Sequence, residues 1–255
     1  MRIAIIGAGN MGGAIARGLA QVEQEEISLM VSNPSRHKLD ALQKDFPLIE
    51  TTTDNQEAIL EADIIILAVK PWLIKSVLSA LKVKSDQIVA SVAAGVEFAS
   101  LSKYIGPEVP LFRIIPNTAI AQQESMTLIS SSLASKEQEK TIIRLFNYLG
   151  RAIIISEELL AAGTAIASCG IAYAFKYIQA SMQAAVELGL RPAEAQFMIA
   201  QTVKGAAEVL LNPANSPALE IDKVTTPGGV TIKGVNELDH QGFSSAIIKA
   251  IKASC

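Results

Sequence analysis

The chain has 255 residues, 50% of them hydrophobic and 18% charged, with a formal net charge of -3 from 22 basic and 25 acidic residues. That length supports a real core in one large domain or two smaller ones. With no long basic run, the electrostatic footprint of a nucleic-acid binder is missing. Two cysteines, Cys169 and Cys255, are too few and too far apart for a disulfide framework or a structural zinc site, which points to a reducing, cytoplasmic compartment.

The first segment, "MRIAIIGAGNMGGAIARGLA", has a short apolar run broken by glycines and Asn10, and Arg17 falls where a cleavage region should lie. It does not read as a signal peptide. From residue 1 to about 155, nearly continuous apolar runs ("RIAIIG", "ISLMVS", "DIIILAV", "QIVASVA", "PLFRII") alternate with amphipathic stretches at Met11–Val22, Ser35–Phe46 and Trp72–Leu81. Such runs suit strands buried on both faces of a parallel sheet, with helices as crossovers. Weaker strands at Met126–Ser130 and Ala152–Ile155 flank a helix at Ser135–Leu149. The pattern predicts an α/β fold, a Rossmann-like doubly wound sheet over residues 1–155.

After Ser156 the strand signals stop, and residues 156–255 read as an all-helical domain. Glu157–Leu188 is expected to be one long helix ended by Gly189 in a left-handed cap, and Pro192 opens another to about Leu211. "NPANSP" (Asn212–Pro217) is a loop, followed by helices at Ala218–Val224, Thr231–His240 and Phe243–Ala253. Leu159–Phe175 runs seventeen residues without a charge, at the short end of the membrane-spanning range. A helix buried among others, across a subunit interface, explains it better than a membrane span. So thin an alanine-rich layer would struggle to bury its apolar faces alone, so self-association is expected.

Gly7-Ala8-Gly9-Asn10-Met11-Gly12 fits G-x-G-x-x-G directly after a strand and at the start of a helix, the context that gives the pattern its force. Gly7 makes the tight turn, Gly9 lets the backbone approach a pyrophosphate, and Gly12 lets helix and strand pack closely. The pyrophosphate then meets unpaired N–H groups at the helix start, Asn10 and Met11 among them. The end of the second strand reads "VSNPSRHK" with no carboxylate before Asp40, where an acidic residue would hold the ribose of NAD. Donors at Asn33, Ser35 and Arg36 suit a 2′-phosphate, so NADPH is favoured over NADH; a basic, solvated helix start is the plainer alternative.

One corner remains unexplained by folding needs. "VTTPGGVTIKGV" gathers Val224, Thr225, Thr226, Pro227, Gly228, Gly229 and Thr231. A capping turn with Thr231 as N-cap accounts for one threonine and one glycine, not the cluster. Backbone N–H groups around Gly228 and Gly229, with the positive start of the following helix, suit a carboxylate.

With G-A-G-N-M-G, "LAVKP" (Leu67–Pro71), "PNT" (Pro116–Thr118) and this loop in order and spacing, the chain resembles the pyrroline-5-carboxylate reductase family from end to end. The resemblance implies reduction of the ring imine of 1-pyrroline-5-carboxylate to L-proline with NAD(P)H, and a Rossmann domain followed by a helical domain that dimerises, often into larger rings of dimers. It implies that Thr231 contacts the imine region while Thr226 and the glycine amides hold the carboxylate, with Val224, Thr225 and Pro227 lining the same pocket. It places Asn55 near the adenosine end of the cofactor, Ala68, Val69, Lys70 and Pro71 along the cofactor cleft, and Ala93, Ala94 and Gly95 beside the nicotinamide. For Lys70, a lysine capping a strand end is an equal reading. Asn117 either braces the nicotinamide carboxamide or turns the chain after a strand. The chain departs from the family's "SGSGPAY" at Ala167–Tyr173, where the proline is missing, and from "MPNTP" at Ile115–Ala119.

Hydride transfer to a protonated imine asks mainly for orientation, so a chain poor in general acids is no obstacle. His37 and His240 lack partners nearby in sequence, and no metal-ligand spacing occurs, so no metal is expected. Cys169 suits packing better than nucleophilic work. Two other readings stand: a β-hydroxyacid dehydrogenase-like oxidoreductase, for which Lys176 lacks suitable polar neighbours, and an NADP-binding sensor or oligomeric scaffold without turnover.

Overall fold

The apolar runs of the first half form the middle of one eight-stranded sheet. The computed structural model describes residues 1–23 and 26–255. In chain order come β1 (Arg2–Ile6), α1 (Asn10–Leu19), β2 (Ser28–Ser32), α2 (Arg36–Asp45), β3 (Glu50–Thr52), α3 (Asn55–Ile59), β4 (Ile64–Leu67) and α4 (Ile74–Ala80). They are followed by β5 (Ile88–Ser91), α5 (Phe98–Leu101), β6 (Leu111–Ile115), β7 (Ser125–Ser132), α6 (Lys136–Asn147) and β8 (Gly150–Ile154).

The strand order is β3-β2-β1-β4-β5-β6-β7-β8, and every neighbouring pair is parallel except β6 with β7. Order reverses at β1, between β2 on one side and β4 on the other, so a crevice opens outside the carboxyl ends of β1 and β4. Only nine residues, ordered around a 3-10 turn at Thr118–Gln122, join β6 to β7. A connection that short cannot make a crossover, so the chain must double back antiparallel. β4, β5 and β6 are buried at every residue, because apolar layers cover both faces of the sheet. Ile5, Ile15, Phe112 and Phe146 belong to one layer, Ile65, Leu78, Val89 and Leu101 to the other.

Three short elements escape the sequence pattern. β3 is only Glu-Thr-Thr, and α3 and α5 have five and four residues, too few for a period to show. The helix expected at Trp72–Leu81 starts as a 3-10 turn, Pro71–Leu73, before α4.

The long helix expected at Glu157–Leu188 is interrupted. It consists of a 3-10 turn (Glu157–Leu159), α7 (Leu160–Gly163), a π segment (Thr164–Ser168) and α8 (Gly170–Glu187). Two local features account for the break. Thr164 Oγ1 donates back to the Leu160 carbonyl at 2.6 Å, a bond that bends helices. At Gly163 a Cβ would lie 2.4 Å from Leu128 Cδ1, so the segment lies tightly on β7.

The chain divides into two compact units, Met1–Ser168 and Cys169–Cys255. The division falls beyond residue 155 because residues 157–168 are held by the first unit: Leu160 shares a buried cluster with Ile115 and Leu128. The second unit holds α8, α9 (Pro192–Leu211), α10 (Pro217–Val224), α11 (Val230–His240) and α12 (Phe243–Lys252). Gly189 ends α8 with φ +95, the left-handed conformation that glycine adopts without strain. Among its described residues only Ala195 is buried, while Phe175, Leu188 and Phe197 stand 59%, 84% and 74% exposed.

Candidate functional site

The glycine turn occupies the crevice. Gly7 has φ +106, and a Cβ there would lie 2.7 Å from the Ala68 carbonyl oxygen; one on Gly12 would lie 1.9 Å from the Gly7 oxygen. These two glycines are demanded by the fold itself. Gly9 is different, because nothing lies within 4 Å of where its Cβ would be. Gly9 is also the N-cap of α1 and offers no side-chain acceptor, so the first N–H groups of α1 are left for a ligand. Asn10 is exposed and Met11 half-buried beside them. Open space above an uncapped helix start fits a dinucleotide's pyrophosphate.

The end of β2 is tied to this turn. The Gly7 N–H donates to the Ser32 carbonyl at 2.8 Å. Asn33, 7% exposed, accepts from the Ala8 N–H at 3.0 Å and donates through Nδ2 to the Ser35 carbonyl at 3.2 Å. Its side chain therefore braces the turn against the start of α2. Ser32 Oγ donates to Asn55 Oδ1 at 2.7 Å, which places Asn55 at the carboxyl end of β2. Ser35, the N-cap of α2, makes no side-chain cap bond, and no acidic residue sits in the first turn. Arg36, His37 and Lys38 are exposed there. A hydroxyl, a guanidinium and an uncapped helix start form a donor set for a phosphate.

Along the rest of the crevice edge, the Ala68 N–H donates to Ile6 at 2.9 Å. Pro71 opens the 3-10 turn, Val69 is half-buried, and exposed Lys70 lies with Nζ 6.0 Å from the Trp72 ring centroid. After β5, Ala93 is 5% exposed and packs into the core, while Ala94 and Gly95 are exposed. Gly95 has φ +72 and open space at its Cβ position. Asn117 is occupied: Oδ1 accepts from the Ala119 N–H and Nδ2 donates to the Ala167 carbonyl, both at 3.0 Å.

In the second unit the threonine loop divides its hydroxyls between two kinds of work. Thr225 Oγ1 donates to the Ile221 carbonyl at 2.9 Å and closes α10 beside the exposed Val224. The Thr226 carbonyl accepts from the Gly229 N–H at 3.0 Å. With Pro227 second and Gly228 third at φ +72, this is the sequence and sign of a type II β-turn. Gly229, not Thr231, is the N-cap of α11, and its own N–H is already bonded. The amides left for an anion are those of Gly228 and of the first turn of α11. Among the described residues the Thr226 and Thr231 hydroxyls have no hydrogen-bond partner, and both residues are exposed.

Where the family has its proline, this chain has Ile171 near the start of α8. Cys169 is the N-cap of α8 and Gly170 its first residue, so Ile171 sits in the first turn, a position that accepts proline as well as other residues. Tyr173 stays engaged, its hydroxyl bonded to Ser254 Oγ and lying 3.4 Å from the Ala250 carbonyl. Among the described residues no cluster of three or more His, Cys, Asp or Glu could hold a metal. A cavity of about 250 Å³ lined by Arg2, Ser28, Glu50 and Glu61 lies at the amino ends of β1 to β3, away from the crevice. Sequence reasoning passed over Arg113 and Glu157: Arg113 Nη1 donates to Glu157 Oε1 at 2.5 Å, and Phe98 N–H donates to the same oxygen at 2.9 Å. An arginine inside the otherwise apolar "PLFRII" was the available signal.

Residues 157–255 match the family described as pyrroline-5-carboxylate reductase dimerisation, and residues 2–95 match NADP oxidoreductase coenzyme F420-dependent. The chain is 37% identical over 270 residues to pyrroline-5-carboxylate reductase 2 of Dictyostelium discoideum, covering 99% of this chain and 90% of that protein. It is 35% identical to pyrroline-5-carboxylate reductase 1 of the same organism, spanning 48% of that longer protein. The crystal structure of Plasmodium falciparum pyrroline carboxylate reductase with NADP bound superposes with a TM-score of 0.88 at 27% identity, covering 100% of this chain and 95% of that one.

Proposed function

The chain belongs to the pyrroline-5-carboxylate reductase family, and we propose that it carries out that family's reaction, reduction of the ring imine of 1-pyrroline-5-carboxylate to L-proline. It is an NADP-dependent oxidoreductase. NADPH, when bound, supplies the hydride, with NADH as the lesser donor. The turn Gly7–Gly12 and the start of α1 hold the pyrophosphate, and Ser35 and Arg36 take the 2′-phosphate. Asn33 and Asn55 shape that end, residues Ala68–Pro71 line the cleft, and the turn Ala93–Gly95 borders the nicotinamide.

One observation carries the substrate assignment. Of the loop's threonines, Thr225 works for the fold, while Thr226 and Thr231 flank an uncapped helix start with their hydroxyls unengaged. The substrate's carboxylate is held by Thr226, the Gly228 N–H and the first turn of α11, where the helix end is positive. The Thr231 hydroxyl sits at the imine nitrogen and orients it. A protonated imine already carries the charge that draws a hydride to its ring carbon, so position counts for more than a strong acid.

The second unit, with Ala195 its only buried residue among those described, completes itself against a second copy. The protein works as a homodimer or as a ring of dimers. The stretch Glu157–Glu187 is long and apolar enough to cross a membrane by composition; a partner subunit covers it, and the enzyme is cytoplasmic. Steady-state oxidation of NADPH, run with 1-pyrroline-5-carboxylate, related cyclic imines and 3-hydroxyacids, tests the reading. Turnover with the pyrroline supports it. NADPH binding without turnover points to a sensor, and turnover of a 3-hydroxyacid alone to a dehydrogenase.

A further inference from the structure

We infer that Asn117 is a positioning residue that latches the π segment to the carboxyl end of β6, and that the reaction depends on this latch while cofactor affinity does not. The residue is 8% exposed, so each of its polar groups needs a partner. Its N–H donates to Ser125 Oγ at 3.1 Å, its Oδ1 accepts from the Ala119 N–H at 3.0 Å, and its Nδ2 donates to the Ala167 carbonyl at 3.0 Å. The amide orientation is fixed by its neighbours. A backbone N–H demands oxygen on one side and a carbonyl demands nitrogen on the other, so the flipped form would lose both bonds.

What the latch holds is informative. Ala167 lies within Thr164–Ser168, where wider π-type bonding interrupts the helix; such interruptions leave carbonyls short of intrahelical donors and recur at functional sites. Asn117 supplies the missing donor. The residue after this segment, Cys169, begins the second unit. At the other end, Glu157 accepts from Arg113 on β6 and from the Phe98 N–H. Arg113, 7% exposed, and Asn117, two residues beyond β6, thus grip both ends of residues 157–168. Between the grips, Ala165 is fully buried and Gly163 leaves no room for a Cβ against Leu128. The last stretch of the first unit, residues 157–168, from which the chain runs on to Thr226 and Thr231, is therefore anchored at both ends. Residues that fix a reacting group's geometry from a distance affect turnover steeply: a displacement of about 1 Å can cost about a hundredfold.

The inference rests on the proposed reaction, and its test separates the two. Asn117→Ser keeps an oxygen for the Ala119 N–H, since serine is a good N-cap, but cannot reach Ala167. Asn117→Thr likewise caps without reaching Ala167 and fills more of the space than serine, which covers the case in which the serine variant does not fold. The latch predicts an NADPH Kd within about twofold of wild type by fluorescence titration, kcat/KM for 1-pyrroline-5-carboxylate reduced roughly ten- to a hundredfold, and faster amide hydrogen exchange confined to residues 164–172. Unchanged kcat/KM and exchange in a folded variant would overturn it. So would a large rise in the NADPH Kd, which would make Asn117 a cofactor ligand. If wild-type protein does not reduce the pyrroline, the reaction assignment fails, and the exchange pattern alone decides whether the latch exists.

Discussion

The Ala8 N–H donates to Oδ1 of Asn33 at 3.0 Å, joining the glycine turn after β1 to the loop after β2 through one buried side chain. The loop that would cradle the pyrophosphate and the loop that would read the 2′-phosphate are thus a single braced unit. Asn33→Ala leaves the Ala8 amide without its acceptor and frees the Ser35 carbonyl. The expected outcome is weaker binding of NADPH and NADH alike, by about 1–3 kcal/mol, the cost of orphaning a buried donor. Isothermal titration with both nucleotides checks it, and an effect confined to NADPH would show that Asn33 touches the phosphate itself.

Arg36→Ala should behave in the opposite way. Arg36 is exposed at the first turn of α2, so it braces nothing, and a charge-assisted bond to a phosphate is worth about 1–3 kcal/mol. NADPH affinity should fall by that amount with NADH affinity unchanged. Equal losses for both nucleotides would remove Arg36 from the phosphate site.

The glycines of the turn divide into two classes that substitution can tell apart. Gly12→Ala forces a Cβ to within 1.9 Å of the Gly7 oxygen, so it should lower the melting temperature of the free protein. Gly9→Ala meets no protein atom within 4 Å and has φ -75, so it should melt like wild type and still lose NADPH binding. A Gly9→Ala protein that binds NADPH normally would mean the open space belongs to something else.

Much of this arrangement is legible in the amino-acid order, and the exceptions have physical causes. Buried parallel strands such as Ile64–Leu67 announce themselves because both faces must be apolar. β3 does not, being three residues with Glu50 and Thr51 partly in solvent. The G-x-G-x-x-G pattern marks the turn and assigns close packing to Gly12 and open backbone to Gly9; the structure has a Cβ clash at the first and empty space at the second. Thr231 looks like an N-cap from sequence, since threonine caps well. The structure gives the cap to Gly229, because the Thr226–Gly229 turn ends one residue before the helix. The π segment is not legible because small, weak helix formers in "AAGTAIASCG" mark no definite break, and the interruption depends on the Thr164 back-bond and the close approach of Gly163 to Leu128.

The second unit should not persist alone in water. Leu188 and Val230 are each 84% exposed and Phe197 74%, far more apolar surface than single scattered residues account for. Light scattering on the purified protein should report a dimer or larger at micromolar concentration. A folded monomer there would contradict the proposed subunit contact.

Thr231 offers the most direct test of the whole account. Because Gly229 holds the N-cap position of α11, replacing Thr231 removes no cap bond, and an aspartate in the first helical turn favours the positive helix end. Thr231→Asp should therefore melt at or above the wild-type temperature and bind NADPH as wild type does. The hydroxyl that orients the imine nitrogen would be gone, and a second anion would enter the pocket that holds the substrate's carboxylate, so initial rates of NADPH oxidation with 1-pyrroline-5-carboxylate should show kcat/KM reduced by about a hundredfold or more, whereas Thr231→Ser should retain most activity. A Thr231→Asp enzyme as fast as wild type would contradict the placement of the substrate at this loop.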